Sequence, residues 1–120
     1  MHYDVRMTPQ PDPASRTRTD RAREADVLAA RLQEVANPTR LKVMCRLWRL
    51  AGADAEITVG RLQEVTGASQ SALSQHLARL RAAGLVATRR DGQNVLYRLA
   101  DGEARRMMDA ICDGMCDRLD

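Results

Sequence analysis

A chain of 120 residues that is 44% hydrophobic and 29% charged suits one domain with a small core. Its longest apolar runs fall far short of the roughly 18 residues a membrane helix needs, and its first 25 residues lack the apolar segment of a secretion signal, which points to a cytoplasmic protein. The net charge of +3 is modest but segregated: residues 69–98 carry five Arg against one Asp, residues 101–120 three Arg against six acids, so one face suits a polyanion and another repels it.

In chain order, residues 1–19 hold three prolines, scattered Ser/Thr and charges, and read as a disordered tail. From Asp20 or Glu24 a first helix begins, with Leu28, Leu32 and Val35 at i, i+4 and i+7. Asn37-Pro38 ends it and opens the next, Asn as N-cap and Pro at the first helical position. The second helix sets Leu41, Met44/Cys45 and Leu47/Trp48 on one face and closes at Gly52. Thr58 caps a short third helix over Val59 to Val65, and Gly67 turns the chain. Ser69 caps a fourth helix with Leu73, Leu77 and Leu80 as its buried stripe.

Gly84 ends that helix. Leu85 to Arg90 and Gln93 to Leu99 are β-rich runs joined by Asp91-Gly92, a strong hairpin signal because both residues tolerate positive φ. Asp101 starts a last helix with Met107/Met108, Ile111 and Met115 on one side. Helix, short turn, helix, then a basic hairpin is the layout of a winged helix-turn-helix DNA reader. The expected fold is therefore mainly α with a β-hairpin wing (α+β), in the order helix, helix, helix, helix, strand, strand, helix, over residues 20–120.

The polar residues of the fourth helix are those a DNA reader needs. Ser69, Gln70, Ser71, Ser74, Gln75, His76 and Arg79 lie mainly off the leucine stripe. Gln pairs with adenine through two hydrogen bonds, and Ser reaches a base or a phosphate. Residues at the N-terminal end of a recognition helix approach the base edges. Arg89, Arg90, Gln93 and Asn94 sit near the hairpin tip, in reach of phosphates or the minor groove. The helix's single histidine suits packing or a phosphate contact better than a metal. No phosphate loop, catalytic triad or metal-ligand cluster is present, so neither an enzyme nor a cofactor is called for.

Three cysteines in a chain without an export signal are more apt to be inert, metal-binding or redox-active than structural disulfides. Cys45 shares a helix face with Leu41 and Trp48, and Cys112 and Cys116 share a face of the last helix.

The segments ANPTRLKVM and ITVGRLQEVTGASQSALSQHLARLRAAGLVATRRDGQNVLYRL closely resemble the arsenic-repressor (ArsR/SmtB) family, over about residues 24–120. The resemblance implies a homodimeric winged-helix repressor, paired through its first and last helices, that binds a palindromic double-stranded DNA operator and releases it when an inducer binds. The family's arsenic and cadmium site uses thiols in the third helix, where this chain has Thr58 and Gly60. A zinc site in the last helix needs histidines, and residues 101–120 contain none. What remains resembles the sulfide-responsive branch, with Cys45 and Cys116 as the redox-sensing pair and Cys112 as a possible auxiliary. The resemblance implies that persulfides or related oxidants bridge the pair and free the DNA. Two other outcomes stay open: a sensor binding As(III) or another thiophilic ion through Cys45, Cys112 and Cys116, or a regulator that senses nothing.

Overall fold

A computed structural model describes residues 17–50 and 56–112. Its elements are α1 (Arg18–Val35), α2 (Pro38–Arg49), β1 (Ile57–Thr58), α3 (Val59–Thr66), α4 (Gln70–Ala82), β2 (Val86–Asp91), β3 (Asn94–Leu99) and α5 (Gly102–Cys112). The helix and strand order matches the expectation, with one addition. The two-residue β1 was hidden in the lead-in to α3, too short to show an alternating pattern.

Side-chain caps fix the helix starts. Thr17 Oγ1 accepts from Asp20 N at 3.0 Å, so α1 begins two residues before Asp20 and takes in residues 18 and 19, which the sequence reading assigned to the tail. Asn37, Thr58 and Ser69 each accept from the backbone N–H three residues on, as the sequence predicts. Asp101 does the same for Ala104 at 2.9 Å, so α5 starts on time. Gly67 and Gly84 follow α3 and α4 with φ of +70° and +75°, a backbone that only glycine adopts without strain. The tail before residue 17, Gly52, Met115 and Cys116, each assigned a role above, lie outside the described residues.

The sheet is antiparallel in the order β1-β3-β2. Asp91 pairs with Asn94, so the loop is Gly92-Gln93, one residue later than the sequence placed it. Gly92 has φ +65° and Gln93 does not, which is the glycine-first pattern of a II′ turn rather than the Asp-Gly I′ turn expected. Val86, Tyr97, Leu99 and Ile57 are buried on one face of the sheet. Arg89 pairs with Leu96, which also pairs with Thr58, and this row belongs to the opposite face.

The core joins α2, α3, α4, α5 and the sheet. Met44, Leu62, Leu73, Leu77, Leu80, Leu85 and Met108 are each fully buried, and each contributes about 1.5–3 kcal/mol of apolar burial. The apolar stripe of α1 behaves differently. Val35 is buried, but Val27, Leu28 and Leu32 are 54%, 49% and 40% exposed. The periodicity predicts a helix, and the helix is there, with most of its stripe exposed among the described residues.

Candidate DNA interface and buried cysteine pair

α3, the turn at Gly67 and α4 form the helix-turn-helix. With Leu73, Leu77 and Leu80 turned into the core, Ser69, Gln70, Ser71, Ser74, Gln75 and Arg79 are left exposed. Arg90, Gln93 and Asn94 are exposed around the hairpin tip. The sequence-predicted reading residues thus fall on two exposed surfaces, the outer side of α4 and the wing. Arg90 has no partner among the described residues.

Three predicted contacts are already engaged within the chain. Arg79 donates from Nε and Nη2 to both carboxylate oxygens of Glu34 on α1, at 2.8 and 3.2 Å. Arg89 donates from Nε to both oxygens of Glu56, just before β1, at 2.9 and 2.8 Å. His76 is half-buried, and its Nδ1 accepts from Arg40 Nη1 at 3.0 Å. An arginine only donates, so this bond requires Nδ1 to be unprotonated. Arg40 is itself buried, at 8% exposure, and its Nε also donates to the Glu34 carbonyl oxygen. One network therefore ties the end of α1 and the start of α2 to the middle of the recognition helix.

The electrostatics follow from that network. Burial first, then the Arg40 and Arg79 guanidinium groups, push the His76 pKa below its ordinary 6.5. The hydrogen bond from Arg79 holds the Glu34 carboxyl below its ordinary 4.5, against a smaller opposing effect of burial. Sequence reasoning missed Arg40, Glu34 and Glu56. The first two come together through the α1–α2 corner, and Asn37-Pro38 was the available signal for that corner.

The second site lies between α2 and α5. Cys45 and Cys112 are 0% and 1% exposed, and their Sγ atoms are 3.1 Å apart. One turn away, Trp48 Nε1 donates to Asp109 Oδ1 at 2.6 Å. Trp48 is i+3 from Cys45 and Asp109 is i−3 from Cys112, so two side-chain pairs fasten the same two helices. The partner that the structure gives Cys45 is thus Cys112, the thiol the sequence reading treated as auxiliary. Among the described residues, no group of three His, Cys, Asp or Glu is placed to hold a metal ion. No helix among them is long and apolar enough to cross a membrane.

Comparison with known proteins gives these surfaces a context. Residues 37–88 match the family described as "Bacterial regulatory protein, arsR family". The chain is 36% identical over 113 residues to the nodulation protein NolR of Rhizobium meliloti, covering 94% of this chain and 84% of that one. It is 34% identical over 100 residues to the biofilm growth-associated repressor of Xylella fastidiosa, covering 83% of each. Among solved structures, reduced HlyU from Vibrio cholerae superposes with a TM-score of 0.71 at 37% identity, over 82% of this chain and 98% of that one.

Proposed function

The chain belongs to the ArsR family of bacterial regulatory proteins, in the branch that holds HlyU and the biofilm growth-associated repressor, and is a DNA-binding transcriptional regulator rather than an enzyme; from that premise we propose that it is a homodimeric repressor whose hold on a palindromic operator is switched by oxidation of a buried cysteine pair. The observation that carries this reading is the 3.1 Å contact between Cys45 and Cys112 sulfurs across α2 and α5. Sulfurs this close meet the proximity that a bridge demands, without unfolding either helix. The inducer is a persulfide or a related sulfur oxidant.

The chemistry balances with one persulfide. A cysteine thiolate attacks the outer sulfur of R–S–SH, which expels RS⁻ and leaves a protein persulfide. The second thiolate attacks the inner sulfur of that persulfide and expels HS⁻, leaving Cys45–S–S–Cys112. Two protein thiols are oxidised and one sulfur–sulfur bond of the inducer is reduced. Cys116, four residues beyond Cys112 in sequence, is the third thiol of the chain, and the test below separates its role from that of the pair.

The bridge has a route to the reading surface. α2 carries Cys45 at its centre and Arg40 in its first turns, and Arg40 holds His76 of α4. A shift of α2 toward α5 therefore bears on the recognition helix. HlyU, one of the solved relatives, has been described in reduced form, in keeping with a thiol-dependent reading.

The test uses a duplex selected by the protein from random sequence. Persulfide is expected to release wild-type protein and the Cys116→Ser variant, and to leave Cys45→Ser and Cys112→Ser bound. Release of Cys45→Ser or Cys112→Ser would defeat the proposal. Persulfide-insensitive binding by the wild type would instead identify a regulator that senses nothing, and release by As(III) at one equivalent a metal sensor.

A further inference from the structure

Among the described residues Arg89 is the one wing arginine held by a carboxylate, and that carboxylate is placed unlike a casual surface partner. Glu56 immediately precedes β1, whose Ile57 and Thr58 pair with Tyr97 and Leu96 of β3. Its side chain is only 15% exposed, whereas that of Arg89 is 53% exposed. The sheltered partner is the acid, and the solvent-facing one is the arginine. Arg89 reaches back across β3 to find it, with both Glu56 oxygens within 2.9 Å of its Nε. Its neighbour Arg90, on the other face of β2, is exposed and has no partner among the described residues.

We propose that Glu56 is an internal competitor for the DNA backbone: its carboxylate occupies the wing cation that a phosphate would otherwise take, and so sets the affinity and salt sensitivity of the wing. The proposal rests on the reading of β2–β3 as a DNA-contacting wing. Its physical content is a counterion count. An arginine that starts in solvent adds one phosphate contact and releases the counterions of that phosphate, which steepens the dependence of binding on salt. Arg89 starts on a carboxylate. While it stays there it makes no phosphate contact and releases none of those counterions. Glu56 thus keeps the wing's non-specific grip weak while retaining an arginine that a correctly seated operator can still draw over.

Glu34 is not an equivalent case. It also faces Arg40 at 3.9 Å, and its backbone carbonyl is bound by the same arginine. Pulling Arg79 away would disturb the α1–α2–α4 network, whereas Glu56 has no second cation among the described residues.

The experiment measures fluorescence anisotropy of a labelled random-sequence duplex over roughly 50–200 mM salt. Glu56→Gln is expected to bind several-fold more tightly at the low end, with a log–log salt slope steeper by about 0.9. Glu56→Ala should steepen the slope equally, and both effects should vanish in an Arg89→Ala background. An unchanged slope in Glu56→Gln, weaker binding by Glu56→Ala, or a gain that persists without Arg89 would each overturn the proposal. Arg90→Ala separates the two layers of inference. If it leaves the slope unchanged, the wing does not touch DNA and the underlying reading fails; if it shallows the slope while Glu56→Gln does nothing, only the competitor role fails.

Discussion

At the scale of single residues, the least foreseeable group is His76. On the sequence it is one polar residue in a helix of polar residues. In the fold its Nδ1 accepts from buried Arg40, and the Arg79 guanidinium is the other charge acting on it. Because the folded pKa is pushed below the ordinary 6.5, the unfolded chain takes up a proton first as the pH falls. Stability that is fully present above pH 6.5 is therefore lost as pH drops through the lower, folded value. Glu34 behaves the same way in a more acidic window, below its ordinary 4.5. Urea unfolding between about pH 7.5 and 5.5 should show wild-type stability declining, and His76→Gln, which accepts from Arg40 without titrating, should flatten that decline. An identical pH slope in the variant would remove His76 from the account. The bases of the operator are a separate matter: Gln70→Ala or Gln75→Ala should cost about 1–3 kcal/mol at a single base pair in a competition assay, if that residue reads adenine through two bonds.

At the scale of elements, the legible features were those written in local chemistry. Asn37-Pro38, Thr58 and Ser69 mark helix starts because a side-chain oxygen satisfies an orphan N–H three residues on, and the structure has each of those bonds. Leu73, Leu77 and Leu80 were placed in the core by spacing alone. What was not legible was set by long-range placement. The wing tip slipped one residue because the register of β2 with β3 puts Asp91 opposite Asn94. Arg79 and Arg89 read as free cations, and nothing in their neighbourhoods shows that Glu34, 45 residues away, and Glu56, 33 away, meet them. The α4 stripe gives a direct check: Leu77→Ala should destabilise by about 2–5 kcal/mol through the cavity it leaves, read as a shift in denaturant midpoint without a change in slope. A loss well below that range would mean that α4 is less firmly seated than its burial indicates.

At the scale of the whole molecule, two surfaces remain to be joined to function. Val27, Leu28 and Leu32 form an exposed apolar stripe on α1 among the described residues, and a homodimer paired through its first and last helices would cover it. Leu28→Glu together with Leu32→Glu should convert a dimer to monomers in sedimentation and abolish operator binding, because half-sites are read in pairs. A dimer that survives both changes would move the interface elsewhere. The α2–α5 seam is the other surface. Trp48, the only tryptophan of the chain, sits one turn from Cys45 and bonds Asp109 on α5. Its emission is therefore a built-in reporter of that seam, and bridging should change it in the wild type but not in Cys45→Ser. The family resemblance put the switch between the second and last helices, and among the described residues the packing sets Cys112 against Cys45.

The measurement that bears most directly on this account is the identity of the bridge formed in persulfide-treated protein. Cleavage before Asp113 separates Cys112 from Cys116, so mass spectrometry of the peptides distinguishes the two. The account predicts that the Cys45 peptide is joined to the Cys112 peptide, directly or through added sulfur, in the same samples that have lost DNA. DNA release with Cys45 and Cys112 unlinked would contradict it.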